Sequence, residues 1–436
     1  MNREPHVATE GVPGPESRRL LALAAEHEGP AVARQSTIVW KRASGVHVED
    51  VDGNVFLDFT SSVLVANVGH RHPRVVEAIT AQAGELLHSY NFVNEWRVEL
   101  EGRLLELGRP LGLDRVFIGS TGAELVELAL KLARWKSGRS GTLALDGGYH
   151  GKTIATTAVG GRADAREGLG ELLRGVVHIP FPVSDRADSV DLERASLAHL
   201  TELEADGDAA KIGTVITEVL QGNAGQRQTS PAFLQELQAF ARRHEAVFVV
   251  DEVQSSFGRT GTMFAFEQFG LEPDLVVAGK GISSSLPLTI LLGRREVFDA
   301  APARALSSTH GGNPLICRTG CAVLDVIRDE RLLDNCREVG AFLLTGLRAA
   351  VSRSDLQADV RGLGLMIGIE VLDGNGQPDP ALAAAIVAAA VSRGLLLIGP
   401  IGVAKNVVRI SPPLVLTRDQ AAQGIELLTQ ALDEVL

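Results

Sequence analysis

Apolar residues along the chain fall into two kinds of run. Short unbroken runs occur at Val116 to Ile118, Thr142 to Leu145, Ile212 to Thr217, Val247 to Val250 and Leu275 to Ala278. Such runs read as strands buried on both faces, the pattern of a parallel sheet. Between them the apolar positions take helical spacing. Leu125, Leu128, Ala129 and Leu132 share one face of a helix, and Ser230-Pro231 opens another that runs through His244, with proline at the first helical position. The alternation predicts an α/β fold, with a large domain built on a doubly wound, mainly parallel sheet. Leu288 to Leu292 offers one further strand.

After Pro314 the pattern changes. A long helix is predicted through Ile327, the next from near Asp329, then short strands at Leu365 to Val371 and Val407 to Ile410. Thr417 and Gln420 have capping-box spacing before the last helix. These elements suit a smaller α+β domain. The predicted organisation is an N-terminal segment, 1–70, joining that small domain, a large domain over 71–315, and the small domain proper over 316–436.

The amino end is poor in core residues. Residues 1 to about 18 are predicted to be disordered, with a short helix from Glu16 to Glu26. Asp52-Gly53, flanked by alternating apolar positions, signals a hairpin. The passage from Pro182 to Asp208 is polar and acidic and reads as a solvated excursion. His70 and His72 lack a third metal ligand and read as turn and helix-start residues.

Composition narrows the function. Of 436 residues, 45% are hydrophobic and 22% charged, which is ordinary for a globular protein. A net charge of −12 argues against a nucleic-acid partner, which would need a basic face. No apolar span is long enough for a membrane helix, and the polar start lacks the apolar core of a signal peptide. The three cysteines, Cys317, Cys321 and Cys336, form no C-x-x-C pair and read as buried free thiols. A reducing cytoplasm fits them.

The candidate chemistry sits where two strands end. Asp251 closes the run Val247 to Val250, and Lys280 follows the run Leu275 to Ala278. Open α/β sheets place ligands at the carboxyl ends of their strands. Neither charge belongs there without a partner. Pyridoxal 5'-phosphate would supply one to each, a Schiff base for the lysine and a ring nitrogen for the carboxylate. The sequences DEVQSSFGRTG, Asp251 to Gly261, and PDLVVAGKG, Pro273 to Gly281, resemble the class III pyridoxal-phosphate aminotransferases of fold type I. Ser255 and Ser256 depart from the usual family run, which has Thr-Gly there. The resemblance covers residues near 45 to 420.

What the resemblance implies can be placed residue by residue. Ser120-Thr121-Gly122-Ala123, directly before a strong helix, is similar to the family's phosphate-binding turn, and a helix start offers the backbone N–H groups a phosphate needs. Tyr149-His150-Gly151 resembles the aromatic-His-Gly whose ring stacks on the cofactor. Glu218 stands at the family's E-P-x-x-G glutamate, with Val219 in place of the proline, and would orient the site. Val253 and Gln254 match the residues under the ring and at its phenolic oxygen. Thr309, in SSTHGGNP, matches a threonine that reaches the neighbouring subunit's phosphate, which implies a homodimer with shared sites. Arg409, in VVRISPPL, matches the arginine that grips a substrate carboxylate. Relatives acting on ω-amines often have a second glutamate where this chain has Asn223.

The implied activity is ping-pong transamination from an amine or amino-acid donor to a 2-oxo acid or other carbonyl acceptor. Lys280 would bond the cofactor and move the proton, and Asp251 would keep the ring nitrogen protonated. Lys280 and Asp251 would serve a racemase, epimerase or decarboxylase of the same family equally well. A non-catalytic protein on this fold, or a Schiff-base enzyme without the cofactor, are further alternatives; the first leaves the intact lysine and aspartate unexplained, the second the Thr121-Gly122 turn.

Overall fold

A computed structural model describes residues 4–169, 174–184 and 189–436. The chain divides into two compact units, one of residues 1–73, 259–261 and 329–436, the other of residues 74–258 and 262–328.

The first unit begins with an antiparallel ribbon, β1 (Trp40–Ser44), β2 (His47–Asp50) and β3 (Val55–Asp58). The hairpin predicted at Asp52-Gly53 joins β2 to β3. It also corrects the expectation of a disordered amino end. His6 pairs with Val55 through both backbone groups, Asn54 Oδ1 accepts from the N–H groups of Ala8 and Thr9, and the Asp52 carboxylate accepts from Glu16 and Ser17 at the start of helix Pro15–His27. A polar segment with few apolar anchors is ordered here because the hairpin supplies acceptors for its N–H groups. Residues 1–3 of that segment lie outside the described residues. His70 Nε2 contacts Asp58 Oδ2 at 2.6 Å, and His72 pairs with Glu330 at 2.9 Å.

The second unit is built on a seven-stranded sheet. Its strands are β4 (Arg115–Gly119), β5 (Gly141–Leu145), β6 (Val176–Ile179), β7 (Ile212–Thr217), β10 (Val247–Glu252), β11 (Leu275–Ala278) and β12 (Thr289–Gly293), with a short hairpin of β8 (Leu220–Gln221) and β9 (Arg227–Gln228) between. The sheet order is β4-β12-β11-β10-β7-β5-β6. The pairings β6-β5-β7-β10-β11 are parallel. β12 runs antiparallel to both of its neighbours, β11 and β4. It returns from β11 without a crossover helix, which a parallel partner would require. Helix Gly122–Ser137 covers this sheet with Leu125, Leu128, Ala129 and Leu132, the face predicted from their spacing, and these pack into one cluster with Val249, Leu275, Val277 and Leu291.

One sequence expectation for this unit is corrected. Within 182–208 the structure forms helix Ser189–Ala205, whose buried residues are Ser196 and Leu200. So narrow a buried stripe leaves most of the helix polar, which hid its period in the sequence. Residues 185–188 of that passage lie outside the described residues.

The chain returns to the first unit after helix Pro314–Asp329. There β13 (Gln357–Leu363), β14 (Met366–Leu372) and β16 (Val407–Ile410) form an antiparallel sheet, and β15 (Leu395–Leu396) adds parallel to β3. Thr417 and Gln420 form the expected capping box on helix Arg418–Val435. The three cysteines are buried and free, and burial raises each thiol well above its ordinary range.

Candidate active site

The carboxyl edge of the seven-stranded sheet gathers most of the candidate residues. β7, β10 and β11 are adjacent and parallel, with Val250 opposite Thr217 and Asp251 opposite Val277. Glu218 directly follows β7, Asp251 lies at the end of β10, and Lys280 comes two residues after β11. One sheet edge therefore carries two carboxylates and a lysine, the placement that parallel strands give to residues just past their ends. Lys280 is half-buried with φ +49° and starts a short turn to Ile282. Gly279 before it is needed for closeness, since a Cβ there would stand 2.9 Å from Thr289 Oγ1.

Asp251 is buried, and its Oδ2 lies 2.8 Å from His150 Nδ1, itself buried. Its Oδ1 accepts from Val253 N at 3.0 Å. Burial alone would push the His150 imidazole down, but the Asp251 carboxylate and the nearby Glu218 outweigh it and raise the group above its ordinary value. Glu218 is raised to about 7, first by burial and then by Asp251, against the pull of His150. It accepts from Tyr149 N at 2.7 Å and Gly222 N at 3.2 Å. Glu218 thus fixes the backbone of Tyr149, and His150 fixes Asp251. Tyr149 is half-buried, and burial raises its phenol.

The predicted phosphate turn is the start of helix Gly122–Ser137. Thr121 is its cap: Thr121 Oγ1 accepts from Glu124 N, and the Glu124 carboxylate accepts from Ser120 N and Thr121 N. That leaves Gly122 and Ala123 in the first turn, where helix N–H groups have no partner within the helix. A Cβ on Gly122 would meet Val253 at 3.2 Å, and one on Gly151 would meet the Ala123 Cβ at 2.7 Å. The turn, Val253 and the Tyr149-His150-Gly151 loop are therefore neighbours. One end of the Gln254 amide, Oε1 as placed, is buried without a partner among the described residues.

These features fit pyridoxal 5'-phosphate: a helix start for a phosphate, an orphaned amide for a phenolic oxygen, a buried carboxylate for a pyridinium, and a lysine just past the end of the next strand. Thr309 is not gathered with them. It is exposed in the segment before helix Pro314–Asp329 and makes no side-chain hydrogen bond among the described residues. Asn223 is half-buried after β8.

Sequence reasoning passed over Glu252. Alternation along β10 sends it to the face opposite Asp251, where it accepts from Phe266 N at 2.7 Å, Ala265 N at 3.0 Å and Ser255 Oγ at 2.8 Å. Burial raises it to about 7. Ser255 is thus a donor to Glu252, and Ser256 Oγ donates to the Glu252 carbonyl at 2.7 Å. A charge beside Asp251 in a buried strand was the available signal.

In the first unit, Arg409 lies on β16 opposite Gly368. It is buried, its Nε and Nη2 have no partner among the described residues, and burial lowers it to about 10.

A mixed sheet with a strand-end lysine, aspartate and helix-start phosphate turn defines the fold type I pyridoxal-phosphate enzymes. The chain belongs to the class III aminotransferases, whose family pattern it matches over residues 30–432. It is 38% identical over 398 residues to the 4-aminobutyrate aminotransferase GabT of Escherichia coli K12, covering 90% of this chain and 93% of that protein. It is 33% identical to the alanine/serine racemase of Pyrococcus horikoshii, covering 97% and 92%. Among solved structures it is similar to an amine transaminase from an uncultivated Pseudomonas species with bound pyridoxal phosphate, with TM-score 0.87, 31% identity and coverage of 94% and 98%. The protein is a pyridoxal-phosphate-dependent aminotransferase.

Proposed function

We propose that the protein moves an amino group from a carboxylate-bearing amine, an amino acid or ω-amino acid, to a 2-oxo acid, in two half-reactions. The observation that carries this is the buried Asp251–His150 pair, 2.8 Å apart, on the strand next to the one that leads to Lys280. Bound pyridoxal 5'-phosphate supplies the electron sink and carries the nitrogen between the half-reactions. Lys280 would hold the cofactor through Nζ and would take and return the proton at that atom. Asp251 would offer its side chain to the ring nitrogen, and His150, 2.8 Å away, holds it in that orientation. Gly122 and Ala123 would donate backbone N–H groups to the phosphate, Tyr149 and Val253 would cover the ring faces, and Gln254 would donate to the phenolic oxygen.

Arg409 takes the substrate carboxylate. A desolvated guanidinium with two idle nitrogens suits a bidentate anion. Asn223, which can hydrogen-bond but not neutralise a charge, faces the substrate and disfavours simple apolar amines. The active form is a homodimer in which Thr309 serves the neighbouring subunit's phosphate, and the buried free thiols agree with a cytoplasmic protein.

Lys280→Ala should retain the cofactor without covalent attachment and lose turnover by about 10³-fold or more. Borohydride treatment followed by mass analysis checks this, and a cofactor still fixed to the chain would assign the role to another lysine. The racemase relative keeps a second reading open to the same residues. Chiral analysis of a single amino acid, with and without a keto acid, separates them: racemisation proceeds without the keto acid, and net amino transfer requires it.

A further inference from the structure

The first unit contains one turn of left-handed backbone. Ser61, Ser62, Val63 and Leu64 have φ of +48°, +50°, +62° and +66° in succession. None is glycine, and Val63 is β-branched, the residue type least suited to this region. Such strain persists only where surrounding structure over-determines it, and it gathers at functional sites.

The fastening is Arg259. It is fully buried, and burial lowers it to about 10. Among the described residues no carboxylate forms an ion pair with it. Its Nη2 donates to Asn67 Oδ1 at 2.6 Å and to Ser61 Oγ at 3.3 Å. Its Nη1 donates to the carbonyls of Leu365 and Pro412. Ser61 Oγ in turn donates to Ser411 O at 2.7 Å. Ser411 stands two residues beyond Arg409, directly after β16. One guanidinium therefore ties the left-handed turn to the end of the strand that carries Arg409.

We propose that Arg259 is a positioning residue for substrate recognition: it locks the left-handed turn 61–64 against the end of β16 and so fixes the setting in which Arg409 meets a carboxylate. The inference rests on the reading of Arg409 given above. Burying a guanidinium among carbonyl and amide oxygens is a costly way to hold two loops together, since an apolar side chain could pack there instead. What the charge adds is direction, because its planar fork sets several acceptors in one plane.

The test uses the holoenzyme. Arg259→Lys and Ser61→Ala loosen the lock, and Asn67→Asp keeps an oxygen at the Arg259 contact as a control. The expected result is a rise of about tenfold in KM for 2-oxoglutarate and in Ki for glutarate, with kcat and pyridoxal-phosphate affinity within about threefold of wild type. Amide exchange at Leu64, Val65 and Ala66, whose N–H groups close the turn onto Thr60 and Ser61, should quicken in Arg259→Lys and Ser61→Ala and stay slow in Asn67→Asp. If Arg259→Lys fails to fold, Ser61→Ala carries the test. Unchanged exchange, or a fall in kcat with KM and Ki unmoved, overturns the proposal. Arg409→Ala separates the two readings. If it raises both constants while Ser61→Ala does not, only the positioning role is wrong. If it moves neither, the carboxylate reading is wrong and the positioning role falls with it.

Discussion

Two arginines in the same unit are fully buried and are handled in opposite ways. Arg361, on β13, meets two carboxylates, Asp359 at 2.6 Å and Glu370 at 2.6 Å. Arg259 meets carbonyl, amide and hydroxyl oxygens instead. The first is neutralised where it lies, so it pins β13 to β14 and needs nothing further. The second has no direct carboxylate partner among the described residues, with Asp58 acting on it only from a distance, and spends its directionality on a strained turn. Arg409 goes further still, with nitrogens that nothing in the described structure satisfies. The contrast separates a charge that completes a fold from one that orients a turn and one proposed to wait for a ligand.

Breaking the paired arginine should give the larger effect. Arg361→Met leaves two carboxylates without their cation and should destabilise the protein by roughly 3–5 kcal/mol. Denaturant unfolding would read this, and the surviving folded fraction should keep its KM. A change in KM without loss of stability would erase the distinction drawn above.

The buried carboxylates sharpen the comparison by pH. Glu218 and Glu252 are each raised from 4.5 to about 7, chiefly by burial. The folded protein then holds protons that the unfolded chain releases. The stability they contribute is complete below about 4.5 and is lost as pH rises through about 7. His150, raised as well, acts in the same direction. A shift of this size corresponds to on the order of 3 kcal/mol per carboxyl. Melting temperature measured between pH 5 and pH 8 should fall, and Glu252→Gln should flatten the slope.

The smallest effect concerns Arg409, the arginine proposed to take the substrate carboxylate. Arg409→Lys keeps the charge but loses the fork, and should weaken carboxylate binding by about 1–3 kcal/mol with no loss of melting temperature. Competitive inhibition by glutarate would check it. A stabilised Arg409→Met variant that also lost glutarate binding would confirm that this cation is kept at the expense of stability.

Much of the candidate site was legible because its residues stand where the pattern changes. Asp251 and Lys280 interrupt valine-rich strands, and Thr121 precedes a strongly amphipathic helix. Glu252 was hidden because the same strand end already had one charge to explain, and only alternation places the two on opposite faces. The left-handed turn left no trace at all: Ser61 to Leu64 contain no glycine, and their backbone is imposed by distant contacts from Arg259 and Ser411. The amino end was misread for a related reason, since its order comes from Asp52 and Asn54 rather than from its own composition.

The buried cysteines have a practical corollary. Thiol reagents attack the thiolate, and burial holds all three thiols in the neutral form far above working pH. Alkylating agents and mild oxidants should therefore leave the folded enzyme intact. A cysteine introduced at an exposed position would be the sole reactive handle, available for a fluorophore or a solid support without first removing the native three.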